Sequence, residues 1–595
     1  MLDIEQSIAA RFPAFARQRP IVRNSTLGVL RKIVREGEIN AFLHEHQGQT
    51  GTDFIDRIFE YFDASYSASQ RDRANIPAQG RILIVANHPI GSLDGLALLR
   101  LVSEVRSDVR IVANDMLMAF APLRELLLPL DNLGHASHRQ SYKAIVQALA
   151  NDEAVIIFPA GEVSRASPKG IRDGAWQGGF LHFARKSGAP LLPVYIDARN
   201  SLLFYGASML FKPLATALLA QEMFNKRRVE IRLRVGEVIP NHALASDQLA
   251  DKALIGRLKK HLYKIGKGRD AIFVTEKTIA HPEDRAALVA EFDGAQLLGS
   301  TRDRHRIHLC DYERQPTVLR EVGRLREQAF RQVGEGTGKR RDLDKYDHYY
   351  RHLVLWDEAR LCIAGAYRLG ETQRIVSSRG ADALYTAELF ELRPAFTALL
   401  EHGLELGRSF VHPDYWGKAS LDYLWQGLGA YLRHHPAIRH VFGPVSMSAR
   451  YPGALRDLLV IYYEHYYRRQ APGALAEGRH PHRIDDAVAA GLRARFAGLD
   501  AEQGFAMMQQ AFRELDFKLP VLFKQYAGLY EEGGYQLAAF SVDSEFGHCI
   551  DGLFIGDLAF MKAAKRERYL APEAGLSATA RIPSLPADPR SPARA

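Results

Sequence analysis

The sequence predicts two domains of different class in one chain: an α/β domain with its sheet covered by helices, followed by an α+β domain. Three observations carry this. The 595 residues exceed what one ordinary hydrophobic core accommodates. From about residue 80, short continuous apolar runs alternate with helical patterns, the rhythm of a sheet buried on both faces. From Arg304 the order changes to strand, helix, two strands, a further strand, a long helix and a strand. The boundaries expected are a helical N-terminal region 1–78, an α/β domain 79–275, a connector 276–300, an α+β domain 301–568 and a disordered tail 569–595.

Residues 1–78 read mostly as helix, with apolar positions at helical spacing in Leu27, Val29, Leu30, Ile33 and Val34, then in Phe54, Ile55, Ile58 and Phe59. Arg23, Arg31, Lys32 and Arg35 accompany the first group, so an interfacial helix and a core-packing helix are both open; acidic residues following soon after favour the core. The α/β pattern consists of RILIVANHP (81–89), VRIVAN (109–114), EAVIIFPAG (153–161) and PLLPVYI (190–196), separated by helical stretches such as LALLRLVSEV and YKAIVQALA. DGAWQGGFLHFARKSG reads as a helix leading to the last of these strands, and after about residue 205 the pattern turns helical and basic. In the second domain RHRIHLC reads as a strand, TVLREVGRLREQAFRQVG as a helix, HLVLWD and LCIAGAYRL as two strands, and ELGRSFVHPDY as a strand leaving into a turn. KASLDYLWQGLGAYLRHH follows as a helix and IRHVFG as a strand, and the Pro-, Ala-, Ser- and Arg-rich end is expected to be disordered.

Composition narrows the function classes. An apolar content of 47% with 25% charged residues is that of a globular protein. No stretch of 18 uncharged apolar residues occurs and the N-terminus does not read as a secretory signal, so no bilayer span is expected. Three scattered cysteines, Cys310, Cys362 and Cys549, suggest buried thiols in a reducing compartment. The net charge of +9 suits an anionic partner, whether a membrane surface, an acidic carrier protein or nucleic acid, the last with no recognisable motif here; an unspecific solvated basic surface is the alternative, and charge alone does not decide. Histidine pairs such as His135/His138 and His480/His482 lack cysteine partners, so no metal site is expected.

Two constellations carry chemistry. In NHPIGSLDG, His88 follows directly on an apolar strand, with Asp94 a few residues on. A neutral imidazole accepts the proton of an attacking hydroxyl, while a carboxylate holds the useful tautomer and stabilises the imidazolium. FPAGEVSR (158–165) also leaves a strand; Glu162, Ser164, Arg165 and Lys169 supply polar groups for a charged acceptor. A surface turn with an incidental aspartate is the alternative for the first motif alone. Together these motifs resemble the glycerolipid and lysophospholipid acyltransferases over roughly residues 70–205. The resemblance implies an O-acyltransferase with His88 and Asp94 as its catalytic pair and Glu162 and Arg165 at the acceptor. The chain departs from that family in having five residues between His88 and Asp94, one more than is common, and Ala160 where a glutamate usually stands. A carboxylate shifted to Glu162, beside Arg165, suits an acceptor carrying both amine and carboxylate rather than a phosphate.

The second constellation is RDLDKYDHYYRHLVLWD with ELGRSFVHPDY. Acyl transfer to an amine needs the neutral amine, so a carboxylate must anchor or deprotonate the ammonium. Asp344 and Asp347 are candidates for that task, against the alternative of a solvated turn, and Arg408 is a candidate for binding a substrate carboxylate or an acidic donor. Arg326 and Phe330, Asp344 and Asp347, Glu405 and Arg408, and HPDYWGKASLDYLWQGL resemble the amino-acid N-acyltransferases related to acyl-homoserine-lactone synthases. The likeness is closest to the ornithine N-acyltransferases and covers roughly 300–560. It implies a GNAT-like fold, Glu405 as a catalytic residue, Asp344, Asp347, Arg408 and Arg326 at the substrate, and a 3-hydroxyacyl thioester on acyl carrier protein as donor, with no cofactor. YWGKAS is only a partial echo of a pyrophosphate-binding loop.

The two halves together resemble the bifunctional ornithine-lipid synthases: N-acylation of ornithine, or another amino acid, then O-acylation of the 3-hydroxyl of the resulting lyso-lipid intermediate. The expected location is cytoplasmic, peripheral on the inner face of the cytoplasmic membrane. The alternatives are a lysophospholipid acyltransferase with a regulatory GNAT-like domain, and a non-enzymatic membrane- or carrier-binding protein.

Overall fold

The strand Ile82–Ala86 is buried at every position, and its side chains alternate between two separate cores. Ile82, Ile84 and Ala86 face one layer of helices and Leu83 and Val85 the other, which is why the run carries no polar residue. The computed structural model describes residues 4–5, 20–113, 115–118, 120–129, 135–167, 170–201, 204–205, 222, 224, 229–245, 249–468 and 474–571. Two units are distinguished, Met1–His281 and Pro282–Ala595.

The first unit runs α1 (Pro20–Val34), α2 (Glu36–Glu45), α3 (Gly51–Tyr61), β1 (Ser65–Ser67), β2 (Ile82–Ala86), α4 (Ser92–Ser103), β3 (Val109–Ala113), β4 (Leu127–Pro129), α5 (His135–Ala150) and β5 (Ala154–Ile157). It continues with the small hairpin β6 (Arg165–Ser167) and β7 (Gly170–Arg172), then α6 (Gly179–Ser187), β8 (Leu191–Asp197), β9 (Glu230–Val235) and α7 (Asp251–Ile265). Seven strands form one sheet in the order β1-β9-β8-β2-β5-β3-β4, parallel except where β8 meets β9. The helix α3 packs Phe54 and Ile55 into the same core as α4, while α5, α6 and α7 cover the opposite face. This is the α/β architecture expected.

Three expectations need correcting here. Residues 1–78 are not a separate helical region: they include β1, which pairs in parallel with β9 at the sheet edge. The strand β9 was not anticipated. Its sequence EIRLRV alternates exposed and buried positions, so its three charged residues hide a one-sided strand inside a basic stretch. The segment DGAWQG (173–178) is not helical; α6 begins only at Gly179.

The second unit runs α8 (Arg285–Asp293), β10 (Gln296–Ser300), β11 (His305–Cys310), α9 (Pro316–Val333), β12 (Arg351–Asp357), β13 (Cys362–Glu371), β14 (Phe390–Leu392), β15 (Gly403–Val411), α10 (Ser420–His434), β16 (His440–Met447) and α11 (Gly453–Tyr467). The short β17 (Ala476–Gly478) follows, and after the helices Asp486–Phe496, Ala501–Glu514 and Val521–Ala527 come β18 (Tyr535–Asp543), β19 (Cys549–Asp557) and α12 (Ala563–Leu570). Eight strands form a sheet in the order β10-β11-β12-β13-β15-β16-β19-β18, antiparallel except for β15 and β16. Leu353, Leu355 and Tyr367 pack with Trp425 and Leu428 of α10 on one face; Val354 and Trp356 pack with Val318 and Leu325 of α9 on the other. The α+β expectation holds.

The connector expected at 276–300 instead contains α8 and the edge strand β10. Leu288 and Phe292 join the core under α9, a two-residue apolar signal lost among charged neighbours. No disordered tail begins at 569, since Tyr569 is buried against Trp425 as part of α12; residues 572–595 lie outside the described ones.

The parallel pair sets up the second site. The strands β15 and β16 pair only over Gly403–Glu405 and His440–Phe442, although each runs on for several residues. Pairing thus ends at Glu405. Just beyond, a Cβ on Gly443 would lie 2.0 Å from the Leu406 carbonyl oxygen, so only glycine lets the two backbones cross this closely.

Candidate functional sites

In the first unit, β2 delivers Asn87 and His88 to the C-terminal rim of the sheet. The Asn87 side chain continues the strand pairing: its Nδ2 donates to the Ile196 carbonyl (2.9 Å) and its Oδ1 accepts from the Ile196 amide (2.7 Å). The turn that follows is fixed by Asp94, fully buried in the first turn of α4, whose Oδ2 accepts the amides of Ile90 (2.9 Å) and Gly91 (3.3 Å). Asp94 Oδ1 is left facing His88 Nδ1 at 3.0 Å, and the imidazole is 21% exposed and stacked on Phe158. Burial alone would lower the His88 pKa; the Asp94 carboxylate, with a smaller contribution from Asp173, raises it above the ordinary histidine value. With Nδ1 engaged by Asp94, Nε2 is the nitrogen left to act on a substrate hydroxyl, the polarity a general base needs.

The FPAGEVSR segment meets this turn directly. Gly161 takes a left-handed φ of 64°, turning the chain so that the Ser164 amide donates to the His88 carbonyl at 2.6 Å. Glu162 and Arg165 pair at 3.2 Å, and Arg165 Nε and Nη1 are buried without hydrogen-bond partners among the described residues. Two orphaned guanidinium nitrogens beside a half-exposed carboxylate can hold a zwitterionic group. Lys169 lies outside the described residues. The structure thus brings His88, Asp94, Glu162 and Arg165 to one rim, on segments that Ser164 joins.

The second site is built on β15, with α9 and the turn before β12. Glu405 is buried; its Oε1 accepts from the Thr386 amide and hydroxyl (both 2.6 Å) and its Oε2 accepts from the Tyr350 hydroxyl. Burial raises the Glu405 pKa against the lowering effect of these hydrogen bonds. Three residues on, Arg408 adopts a left-handed φ of 48° where the β13–β15 register slips, a strained conformation that turns its guanidinium between the rings of Tyr385 and Phe546.

Arg326 and Asp347 need correction as substrate-binding candidates. Both are fully buried, and the guanidinium grips the carboxylate through two 2.9 Å hydrogen bonds while its Nε faces Asp342 at 3.1 Å. A fork consumed in this way is a fastening inside the protein. Asp344 is likewise engaged, accepting from Arg368 Nη1 at 2.6 Å, although 22% of its side chain is exposed. Arg408 approaches Asp342 and Asp344 at 3.7 Å, and its Nε has no hydrogen-bond partner among the described residues. Burial opposes the charge on Asp347, but Arg326 and Arg368 hold its pKa far below the ordinary value; burial likewise opposes the charge on Asp344, and Arg368 lowers its pKa.

Several residues of these sites escaped the sequence reading. Arg368 and Asp342 complete the ion-pair network; the signal available was a lone arginine in the otherwise apolar run CIAGAYRLG. Glu335, Asp543 and Asp551 are also buried in the second unit, and Arg408 acts electrostatically on Glu335 and Asp551. Burial pushes the Glu335 carboxyl up to about 7; burial, with the charges of Asp543 and Glu335, pushes Asp551 up to about 8. In the first unit Asp173, Trp176 and Tyr263 were missed; Asp173 contacts the His88 turn from a distant part of the chain, and Trp176 and Tyr263 bond Asp173 in turn. No group of histidine, cysteine and carboxylate side chains suited to a metal occurs among the described residues.

Comparison with known proteins separates the halves in the same way. A family model described as Acyltransferase matches residues 6–270, and one described as Acetyltransferase (GNAT) domain matches 325–426. A lyso-glycine lipid O-acyltransferase of Bacteroides thetaiotaomicron is 30% identical over 247 residues, covering 40% of this chain and 89% of the relative. A glycine Nα-acyltransferase of the same organism is 31% identical over 265 residues, covering 42% of this chain and 77% of the relative. An L-ornithine Nα-acyltransferase of Rhodobacter capsulatus is 30% identical over 264 residues, covering 42% of this chain and 90% of the relative.

Proposed function

Since the chain belongs to the acyltransferases, with a lyso-lipid O-acyltransferase-type first unit and a GNAT-type amino-acid N-acyltransferase second unit, we propose that it builds a diacylated amino-acid lipid in two steps. The observation that carries this reading is the occurrence of both relatives' regions in one chain, each with its own acid–base site. One makes the lyso-lipid that the other consumes.

In the first step the α-amine of the amino acid attacks the thioester carbonyl of a 3-hydroxyacyl group on acyl carrier protein. The C–N bond forms, the C–S bond breaks, and the proton lost by the amine passes to Glu405 with the Tyr350 hydroxyl as relay and on to the departing thiolate, which leaves as the carrier's free thiol. Arg408 binds the amino acid's carboxylate. In the second step His88 Nε2 takes the proton of the 3-hydroxyl as its oxygen attacks a second acyl thioester; the C–O bond forms, the C–S bond breaks, and the imidazolium, stabilised by Asp94, returns the proton to the departing thiolate. Arg165 and Glu162 hold the carboxylate and any ammonium of the lyso-lipid. The chemistry needs only the acyl thioesters and the chain's own side chains, with no cofactor.

Ornithine is the acceptor that the buried carboxyl groups of Glu335, Asp543 and Asp551 favour, because a second ammonium would pair with them and draw Glu335 and Asp551 into the charged form that burial alone disfavours. Glycine is the second reading, favoured by the names of two of the relatives. No described helix is long and apolar enough to cross a membrane. The lyso-lipid and the diacylated product are amphiphiles, which supports a peripheral site at the inner face of the cytoplasmic membrane.

The test supplies the purified chain with ornithine or glycine, 3-hydroxyacyl and acyl carrier protein thioesters, and reads lipids by mass spectrometry. Wild type is expected to give the diacylated product, His88→Ala to accumulate the monoacylated one, and Glu405→Ala to give neither. Diacylated lipid from His88→Ala, or strong acylation of lysophosphatidate by wild type, would overturn the reading.

A further inference from the structure

The His88 turn is held from behind by a carboxylate far away in sequence. Asp173 is 6% exposed and uses both oxygens: Oδ1 accepts from the His88 amide (3.2 Å) and the Ser164 hydroxyl (2.6 Å), and Oδ2 accepts from the Trp176 indole N–H (2.8 Å). Its own backbone is clamped by α7. The Asp173 amide donates to the Tyr263 hydroxyl (2.9 Å), and Lys259 Nζ donates to the carbonyls of Asp173 (2.8 Å) and Gly174 (2.5 Å). Among the described residues no hydrogen bond of the Asp173 carboxylate reaches the imidazole ring; those it makes end on the scaffold around it.

We propose that Asp173 is a positioning residue for acyl transfer by His88, joining the His88 turn, the Ser164 segment and the Trp176 loop into one rigid rim. This rests on the reading of the first unit as an O-acyltransferase. A buried carboxylate that accepts from three different segments fixes their separations together, because shifting any one leaves a buried donor or acceptor unsatisfied. The orientation it protects is that of Nε2 toward the substrate hydroxyl, a distance to which proton transfer is sensitive. Its negative charge also contributes to raising the proton affinity of the imidazole, behind the contribution of Asp94.

Asp173→Asn tests this, since an amide cannot accept on both sides. The full-length variant is expected to lose about 10- to 100-fold in kcat for O-acylation, with KM for the monoacylated lipid within about threefold, because the residue does not touch substrate. The acid limb of kcat/KM is expected to move to lower pH, since a less basic His88 stays neutral further into acid. Trp176→Phe removes one tie and keeps the charge; a severalfold fall in kcat with an unmoved limb is expected, and this variant decides the matter should Asp173→Asn fail to fold. A second readout needs no acyl acceptor: the pH midpoint for carbethoxylation of His88, read by peptide mass spectrometry, is expected to fall in Asp173→Asn and to stay in Trp176→Phe. Failure of wild type to O-acylate would thus overturn the enzymatic reading alone, while an unmoved midpoint and wild-type kcat in the variants, or a raised KM with unchanged kcat, would overturn the role given to Asp173.

Discussion

Arg326 and Asp347 are withdrawn from solvent and bonded twice to each other, so each is the other's replacement for water. Removing one partner of such a pair leaves a buried charge uncompensated, and Asp347→Ala is expected to destabilise the second unit by about 3–5 kcal/mol, read from urea denaturation. By the same logic Arg326→Met with Asp347→Leu is expected to be milder than either single change, as a double-mutant cycle measures. His88 is a different case, because its imidazole is partly open and its partner has no other task at Oδ1. His88→Ala is expected to lower O-acyl transfer by about 10²–10⁴-fold while leaving N-acyl transfer intact. The sequence made His88 and Asp94 legible because both lie within one turn, where spacing alone brings them together. It hid Asp173, which stands 85 residues from His88, and it misplaced Arg326, whose charge looked like a binding group until its burial was visible.

Among the elements, legibility followed burial. The strands β2 and β5 are covered on both faces and read as apolar runs, whereas β9 is covered on one and reads as basic sequence. At the splay of β15 and β16, Gly443→Ala would force a methyl into the Leu406 carbonyl, and a loss of about 1–3 kcal/mol is expected. Because the site begins where the pairing ends, N-acyl transfer should fall further than the melting temperature suggests. Buried histidines set the response of the elements to acid. Burial lowers His261 of α7, His308 of β11 and His352 of β12 to about 4, from 6.5. Between those values the unfolded chain binds protons that the folded one refuses, so their stabilisation is complete above about pH 6.5 and drains away toward pH 4. Asp551 works in the opposite sense: its carboxyl, raised to about 8, disfavours the folded state increasingly as pH climbs from 3.8 toward 8. Chemical denaturation across pH 4–9 is expected to show a steep acid side and a shallower alkaline decline.

At the scale of the whole molecule, the two units each own a sheet and cores on both of its faces. Residues 1–281 and 282–595 expressed separately are each expected to fold, and the first to O-acylate monoacylated lipid supplied from outside; a fragment that stays unfolded by circular dichroism would contradict this. The first unit, however, closes on itself late. The strand β1 pairs with β9, and Ser67 bonds Glu230 across 163 residues, as Asp72 does the Val235 amide. On a ribosome adding about 5–20 residues per second, the opening helices wait roughly ten to thirty seconds for that partner. During this interval the apolar side of α3, with Phe54 and Ile55, lacks part of its cover. A nascent chain arrested before residue 230 should therefore be held by chaperones and cut readily by proteases, whereas arrest a few dozen residues after α7 has emerged should leave a finished, resistant first half.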